Sequence, residues 1–317
     1  MFICVSPNPA IDKRITLASL VPGKVLRARE AQSFPGGKST HVGMVLRTLG
    51  ETPQWIGPCG GATGAEVVAG LSGLGIKAHA CPTSQPTRTN LEIIEDNGQV
   101  TEIRELGSAP SAAELAAFEN TCKDLFSQGR ELASVIFSGS LPAGVAPDLY
   151  ARLIALAHQS GCRTFLDTGD EPLRLALAAH PDFVKPNRDE ADALLGTTID
   201  SLCAAARAIR ALLTLGARSA ALSLGDGGLC FCSAENAPVL FAPAVSFKLR
   251  STVGCGDSAL AGFARAIASK SSPEDALRLA AACAAANCLA DSPGAARLVD
   301  IQRFQSEIRV QTLPDSP

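Results

Sequence analysis

The segment Ser251-Thr252-Val253-Gly254-Cys255-Gly256-Asp257-Ser258 carries residue types whose spacing suits chemistry on a phosphate. Two glycines around one residue let the backbone turn so that successive N–H groups converge. The helical run Ala259–Ala266 aims its positive dipole end at the same point. The result is an anion cradle. An aspartate at its mouth repels an anion, so Asp257 needs a separate reason to be there. Taking the proton from a hydroxyl that then attacks phosphorus is such a reason. The plainer alternative is an Asp or Ser that only caps a helix. On the first reading Gly256 is where backbone and phosphate approach closely, at a residue expected to hold a positive φ.

The elements that must hold this loop follow from pattern and composition. A chain of 317 residues, 46% hydrophobic, suits one large α/β domain over 1–317 with a sizeable core. No apolar run is long enough to span a bilayer. A formal charge of −3 without a Lys/Arg block argues against nucleic acid and against a membrane surface as partner. Met1–Val5 reads as a strand and lacks the basic region and cleavage site of a signal peptide, which points to the cytoplasm. None of the 11 cysteines is spaced C-x-x-C. Most lie in apolar runs, as Cys283 and Cys288 do, and read as reduced core residues rather than ligands.

Short runs rich in β-branched residues alternate with longer helical patterns. Strands are expected at 2–5, 134–137, 163–167, 182–184 and 220–224, and helices at 64–74, 147–160, 201–215, 259–269 and 273–290. This alternation predicts a mostly parallel central sheet with helices on both faces, whose ligands bind beyond the carboxyl ends of the strands. Residues 11–34 and 91–105 break the alternation. In the second region Asn97-Gly98 joins two alternating runs, a hairpin signal. Such strands, inserted at about 11–35 and 87–106, would make a small antiparallel sheet lying over the site as a lid.

Other segments admit plainer readings beside the functional ones. Gly37-Lys38-Ser39 resembles the end of a P-loop, but Gln32 stands where that motif needs glycine. Gly60-Gly61-Ala62-Thr63-Gly64 hints at a dinucleotide loop, with the wrong spacing and no acidic residue after the next strand. Lys185-Pro186-Asn187-Arg188-Asp189-Glu190 follows a strand and opens a helix. Asn187 and Glu190 suit a capping box, while Lys185 with an amide and a carboxylate one turn away equally suits triphosphate and magnesium. Ser223-Leu224-Gly225-Asp226-Gly227-Gly228 reads either as a hairpin turn or as a close backbone approach to a nucleotide.

Taken in order, these segments resemble the ribokinase-like, PfkB-type sugar kinases, in the branch holding 1-phosphofructokinase, the minor 6-phosphofructokinase and tagatose-6-phosphate kinase. The resemblance rests on Asn8-Pro9-Ala10-Ile11-Asp12, Pro35-Gly36-Gly37-Lys38, Thr87-Arg88-Thr89-Asn90, Ser138–Gly144, Asp167-Thr168, Lys185-Pro186-Asn187 with Glu190, Ser223-Leu224-Gly225 and Thr252–Asp257, from Met1 to about Phe304. It implies a ribokinase-like fold and a kinase that uses ATP and Mg2+ on a hydroxyl of a sugar phosphate. Asp257 matches the base, and Gly254, Cys255 and Gly256 match the amides around the phosphoryl group. Lys185, Asn187, Ser223, Gly225, Gly228 and Ser251 match the nucleotide side, with Asn287 expected in the wall of the adenine pocket. Glu190 matches the residue that organises magnesium through water. Asp12, Gly36, Gly37, Lys38, Arg88 and Ser138 match the sugar side. Lys24 matches a position from which a relative's neighbouring subunit reaches the substrate phosphate, and a homodimer through the lid sheet is expected.

Two departures bear on the sugar. Where relatives continue with glycine and then asparagine, this chain has Ser39, Thr40 and His41, so His41 either contacts the sugar or caps the helix. Arg104–Ala109 replaces the usual Asn-x-Pro-Gly. Lys24, Arg27 and Arg29 in the first lid region, with Arg88 before the second, favour an acceptor that already carries a phosphate over a neutral sugar or nucleoside. A solvated basic face is the alternative. The rivals are a nicotinamide oxidoreductase using the Gly60–Gly64 loop and a kinase-like sugar sensor without turnover.

Overall fold

The computed structural model describes residues 1–128 and 133–314. In chain order the elements are β1 (Phe2–Val5), β2 (Ala10–Leu17), β3 (Glu30–Gly36), α1 (Lys38–Thr48), β4 (Gln54–Cys59), α2 (Gly61–Gly73), β5 (Lys77–Pro82), β6 (Arg88–Glu95), β7 (Val100–Arg104), α3 (Ala112–Ser127), β8 (Ser134–Ser138), α4 (Leu149–Gln159), β9 (Arg163–Asp167), α5 (Asp170–Leu177), β10 (Phe183–Val184), α6 (Arg188–Leu195), α7 (Leu202–Thr214), β11 (Ala220–Ser223), β12 (Leu229–Cys232), β13 (Leu240–Ala242), α8 (Cys255–Ala268), α9 (Pro273–Asn287), α10 (Leu298–Glu307) and β14 (Gln311–Thr312).

The large sheet runs β14-β13-β12-β11-β10-β9-β8-β1-β4-β5. From β11 to β5 every neighbouring pair is parallel, and β12, β13 and β14 add an antiparallel edge. Successive residues of the central strands point to opposite faces, which makes two cores. Ile3, Val5, Val135, Phe137 and Leu166 pack with α3, α4, α5 and α7. Cys4, Ile136, Phe165 and Phe183 pack on the other face with α1, α2, α8, α9 and α10. There Phe183 and Phe263 stand 4.9 Å apart centre to centre, as do Phe231 and Phe263. Helices α8 and α9 meet still more closely, because a Cβ placed on Gly262 would lie 2.6 Å from Ala280 Cα.

The small sheet runs β3-β2-β6-β7. Its outer joints are antiparallel, and the Asn97-Gly98 hairpin forms as its sequence predicts. The middle joint β2–β6 is parallel. These two strands are not linked by a hairpin: β3, α1, β4, α2 and β5 intervene, so both can leave the large sheet in one direction.

Helix α8 begins at Cys255, four residues before the expected start, with Gly254 as its N-cap in the left-handed region at φ 79°. The positive φ expected at Gly256 is therefore at Gly254, and Gly256 is helical. Among the described residues no disulfide joins any of the cysteines. Cys283 is buried as expected, but Cys288 is half-buried and Cys203 is exposed. No helix among the described residues is long and apolar enough to cross a membrane.

Candidate functional site

The carboxyl ends of β8, β9, β10 and β11 deliver Ser138, Asp167, Lys185 and Ser223 to one edge, where ligands of parallel sheets bind. A cavity of about 1240 Å³ opens there and is lined by residues of both sheets. Of the residues expected on sequence, Asp257, Gly254, Cys255, Gly256, Lys185, Asn187, Ser223, Gly225, Gly228, Asp12, Gly37, Lys38, His41, Arg88, Ser138 and Glu190 line it.

Four others do not, each for a local reason. Gly36 lies beneath Asp12: a Cβ there would sit 2.2 Å from the Asp12 Cγ, so the glycine makes room for the carboxylate. Ser251 shapes the loop, its Oγ accepting from Val253 N at 3.2 Å. Asn287, expected in the adenine wall, is buried and spent on backbone. Its Nδ2 donates to Val253 O at 2.7 Å, and its Oδ1 accepts from Gly294 N at 2.8 Å. It braces the cradle, while Ala281, Ala284 and Cys288 of its neighbourhood face the cavity. Lys24 is exposed in the loop between β2 and β3, away from the cavity of its own chain. Nearby, Arg29 is paired with Asp96 rather than turned to the site.

The cradle segment turns at its first glycine. Gly254 packs against Pro293, where a Cβ would come within 2.9 Å, and its left-handed conformation starts α8. A Cβ on Gly256 would stand 3.3 Å from Lys185 Nζ, so the bare backbone lies directly over that ammonium. Cys255 Sγ meets Cys288 Sγ at 3.1 Å. The hairpin between β11 and β12 also forms, and its turn at Gly225 has open space where a Cβ would be. The segment is a hairpin, and its turn lines the cavity.

Charge in the floor is matched internally. Asp167 is buried, with Lys185 Nζ at 2.7 Å and Lys38 Nζ at 3.2 Å. Burial alone would raise its pKa, but the two lysines outweigh it and hold the carboxyl below the usual range. Asp167 in turn pushes Lys38 upward. Glu190 closes the capping box on Asn187, with one oxygen on Asn187 N at 2.9 Å and the other 3.7 Å from Lys38 Nζ.

The Ser39-Thr40-His41 departure divides into anchors and a bridge. Ser39 Oγ donates to Val5 O at 2.5 Å, and Thr40 Oγ1 accepts from Trp55 Nε1 at 3.1 Å; together they pin the first turn of α1 to the sheet. His41 does not cap the helix, whose N-cap is Gly37. Its Nδ1 lies 2.9 Å from Asp257 Oδ2 and its Nε2 lies 2.9 Å from Asp12 Oδ2. Burial would lower its pKa, but the bonds to Asp12 and Asp257 push it up to about 10. An imidazolium therefore joins two carboxylates at neutral pH.

Sequence reasoning passed over Asn8, Asn90, Glu92, Glu102, Arg104 and Asp167 as lining residues. The signal for the lid positions was strand alternation, since Arg88, Asn90 and Glu92 share one face of β6, and Glu102 and Arg104 one face of β7. Asn90 donates to Asp12 Oδ1 at 2.8 Å, while its own Oδ1, Glu92 Oε1, Ser138 Oγ and Arg88 Nε are buried without a partner. Unpartnered buried polar atoms around one space fit a polar ligand. The Gly60–Gly64 loop is closed instead: a Cβ on Gly60 would lie 2.0 Å from Gln85 O, so the Thr83–Thr87 segment occupies the space a dinucleotide needs.

The donor set suits transfer of a phosphoryl group to a hydroxyl, with a carboxylate beside an amide cradle and cations beneath. A model of the pfkB family of carbohydrate kinases matches residues 8–298. The 1-phosphofructokinase of Rhodobacter capsulatus is 35% identical over 263 residues, covering 83% of this chain and 82% of that one. The D-tagatose-1-phosphate kinase of Klebsiella oxytoca is 31% identical over 302 residues, covering 94% of each. The structure of Escherichia coli phosphofructokinase-2 in complex with fructose-6-phosphate has a TM-score of 0.88 at 25% identity, over 97% of this chain and 98% of that one.

One energetic outcome follows for the floor of the site. Asp167→Asn leaves Lys185 buried without its counter-charge and should lower unfolding free energy by about 3 kcal/mol or more. Urea titration checks this. A loss below about 1 kcal/mol would mean that water reaches Lys185 and that the pair is not a dry one.

Proposed function

The chain belongs to the pfkB family of carbohydrate kinases, and from that membership we propose that its acceptor is the 1-phosphate of a ketohexose, fructose or tagatose, with ATP as donor. The observation that supports the reading is that Asp257 lines one cavity with the Gly254–Gly256 turn and with Asp12, Asn90 and Arg88 of the small sheet. The curated relatives named for 1-phosphates support this acceptor over a 6-phosphate.

In this reading Asp257 accepts the proton of the attacking hydroxyl, using Oδ1, because Oδ2 is held by His41. The N–H groups of the Gly254–Gly256 turn and the N-terminus of α8 receive the charge that develops on the phosphoryl oxygens. Lys185 adds positive charge from below, and the open space at Gly225 leaves room for the nucleotide along the hairpin, while Gly228 lets the Ala242–Pro243 backbone pack close. Asp12 and Asn90 orient the sugar. Arg88 donates through both Nη atoms to Glu105 O and Asn8 O, which holds its guanidinium at the lid rim beside Arg104. Two arginines at that rim fit a phosphate monoester; a neutral sugar needs no such charge.

ATP supplies the phosphoryl group, and Mg2+ would offset charge on its β- and γ-oxygens. Among the described residues no cluster of three His, Cys, Asp or Glu side chains could hold a metal by protein ligands alone. That suits magnesium, which keeps waters and phosphate oxygens and needs only a carboxylate such as Glu190 behind a water.

Further parts of the reading extend beyond one active site. The whole chain acts as a single kinase domain. It forms a homodimer through the small sheet, supported by exposed Val25, Ile103 and Leu106 on and beside that sheet. Lys24 would then reach the neighbouring copy's site. Light scattering at micromolar concentration should give twice the chain mass, and a fully active monomer would remove this part.

Asp257→Asn should lower kcat by roughly 10²-fold to 10⁴-fold with ATP-analogue affinity unchanged. Retention of half the kcat, with chemistry rate-limiting, would remove Asp257 as the base. Fructose 1-phosphate and tagatose 1-phosphate should exceed fructose 6-phosphate, tagatose 6-phosphate, fructose, ribose and nucleosides in kcat/KM by tenfold or more, about 1.4 kcal/mol. An unphosphorylated sugar ahead by that margin would refute the phosphosugar reading, and a panel with no acceptor would favour a sensor.

A further inference from the structure

Residue 41 occupies a place where the resemblance leads one to expect asparagine, and its side chain does what an asparagine could not. The imidazole nitrogens lie on opposite edges of a rigid ring, so one side chain from α1 reaches Asp257 of α8 and Asp12 of β2 at once, 2.9 Å from each. The ring is 6% exposed and Asp257 5%, so water does little to screen the trio. Two carboxylates brought this close repel each other unless a positive charge stands between them. The mount is stiff. Ser39 and Thr40 fix the turn of α1 that carries His41, and Gly294 lies against its backbone, where a Cβ would be 2.9 Å from His41 Cα.

We propose that His41 is a positioning residue for phosphoryl transfer: it clamps Asp257 and Asp12 together, so that Asp257 presents one fixed oxygen, Oδ1, to the hydroxyl of a sugar held by Asp12. This rests on the reading of Asp257 as the base. Its chemical content is a coupling. The carboxylate that orients the acceptor and the carboxylate that takes the proton share one double donor, so misplacing either disturbs the other. A misplacement of about 1 Å at such a centre costs on the order of 10²-fold in rate.

The clamp depends on a proton of its own. A ring protonated on both nitrogens donates to both carboxylates, whereas a neutral ring donates to only one, and the bonds to Asp12 and Asp257 push the His41 pKa up to about 10. Loss of that proton releases one carboxylate, so wild-type kcat should fall as the pH rises toward about 10, and removing His41 should remove that fall. The other charges facing this trio are Lys38 from the first turn of α1 and Arg88 from β6, toward Asp257 and Asp12 respectively. Asp167 and Lys185 lie beneath Gly256, and Glu190 of α6 faces Lys38. All of these remain in a His41 variant.

The test compares wild type, His41→Asn and Asp257→Asn, measuring kcat and KM for fructose 1-phosphate from about pH 6 to about pH 11 together with ATP-analogue binding. For His41→Asn we expect a kcat about 10-fold to 100-fold lower at its best pH. It should lack the alkaline fall that the wild type shows as the pH nears about 10, with nucleotide affinity unchanged. A lower kcat with the alkaline fall still in place would mean a merely structural role and overturn the proposal, as would kcat within twofold of wild type. If Asp257→Asn keeps its kcat, the base assignment falls instead, and the two failures are distinct. Should His41→Asn not fold, ring-nitrogen NMR of the wild-type protein decides: His41 doubly protonated at pH 8 upholds the clamp, and a neutral ring at pH 7 overturns it.

Discussion

Asp167 is the point on which the rest of the cavity depends. A carboxylate at the end of a central strand, cut off from water, is costly unless opposite charge comes to it. Here that charge comes from two directions. Lys38 arrives from α1 in the first third of the chain, and Lys185 from the end of β10. The buried acid thus ties the segment beneath the small sheet to the segment beneath the glycine turn. Its strength comes from the parallel sheet, which brings β9 and β10 side by side with their carboxyl ends level.

A second matched group lies one layer above, with the signs reversed. In the floor, two cations share one acid; at His41, two acids share one cation. Most of this charge is offset within the protein, with one negative charge of the His41 group in excess, and the start of α8 lines the cavity with the positive end of a helix. A helix start of this kind suits an anion. Glu190 completes the pattern, with one oxygen spent on the α6 cap and the other turned to Lys38.

What the sequence disclosed was local, and what it concealed was tertiary. The capping box at Asn187 and Glu190, the Asn97-Gly98 hairpin and the turn at Gly254–Gly256 are each set by residues within a few positions of one another, and all three form. The seat of the positive φ was misjudged by two residues because α8 starts earlier than its apolar run, and nothing in a Gly-Cys-Gly string says which glycine bends. His41 could not be resolved between cap and ligand, since its partners are 29 and 216 positions away. Asn287 looked like a wall because it sits in a helix beside the site. Its hydrogen bonds to Val253 and Gly294 appear only once two loops are brought together. Asp167 was visible as part of a motif, but its two lysines were visible only in three dimensions.

The contact of Gly262 with Ala280 has a mechanical meaning. Where two helices touch backbone to backbone, no side chain is left between them to change rotamer and let one roll against the other. Helix α8, which carries Asp257 on its first turn, is therefore keyed to α9, and the pair shifts as one body. Side-chain adjustment cannot re-aim the aspartate. That body gives the cavity one fixed face, with the aspartate set in it.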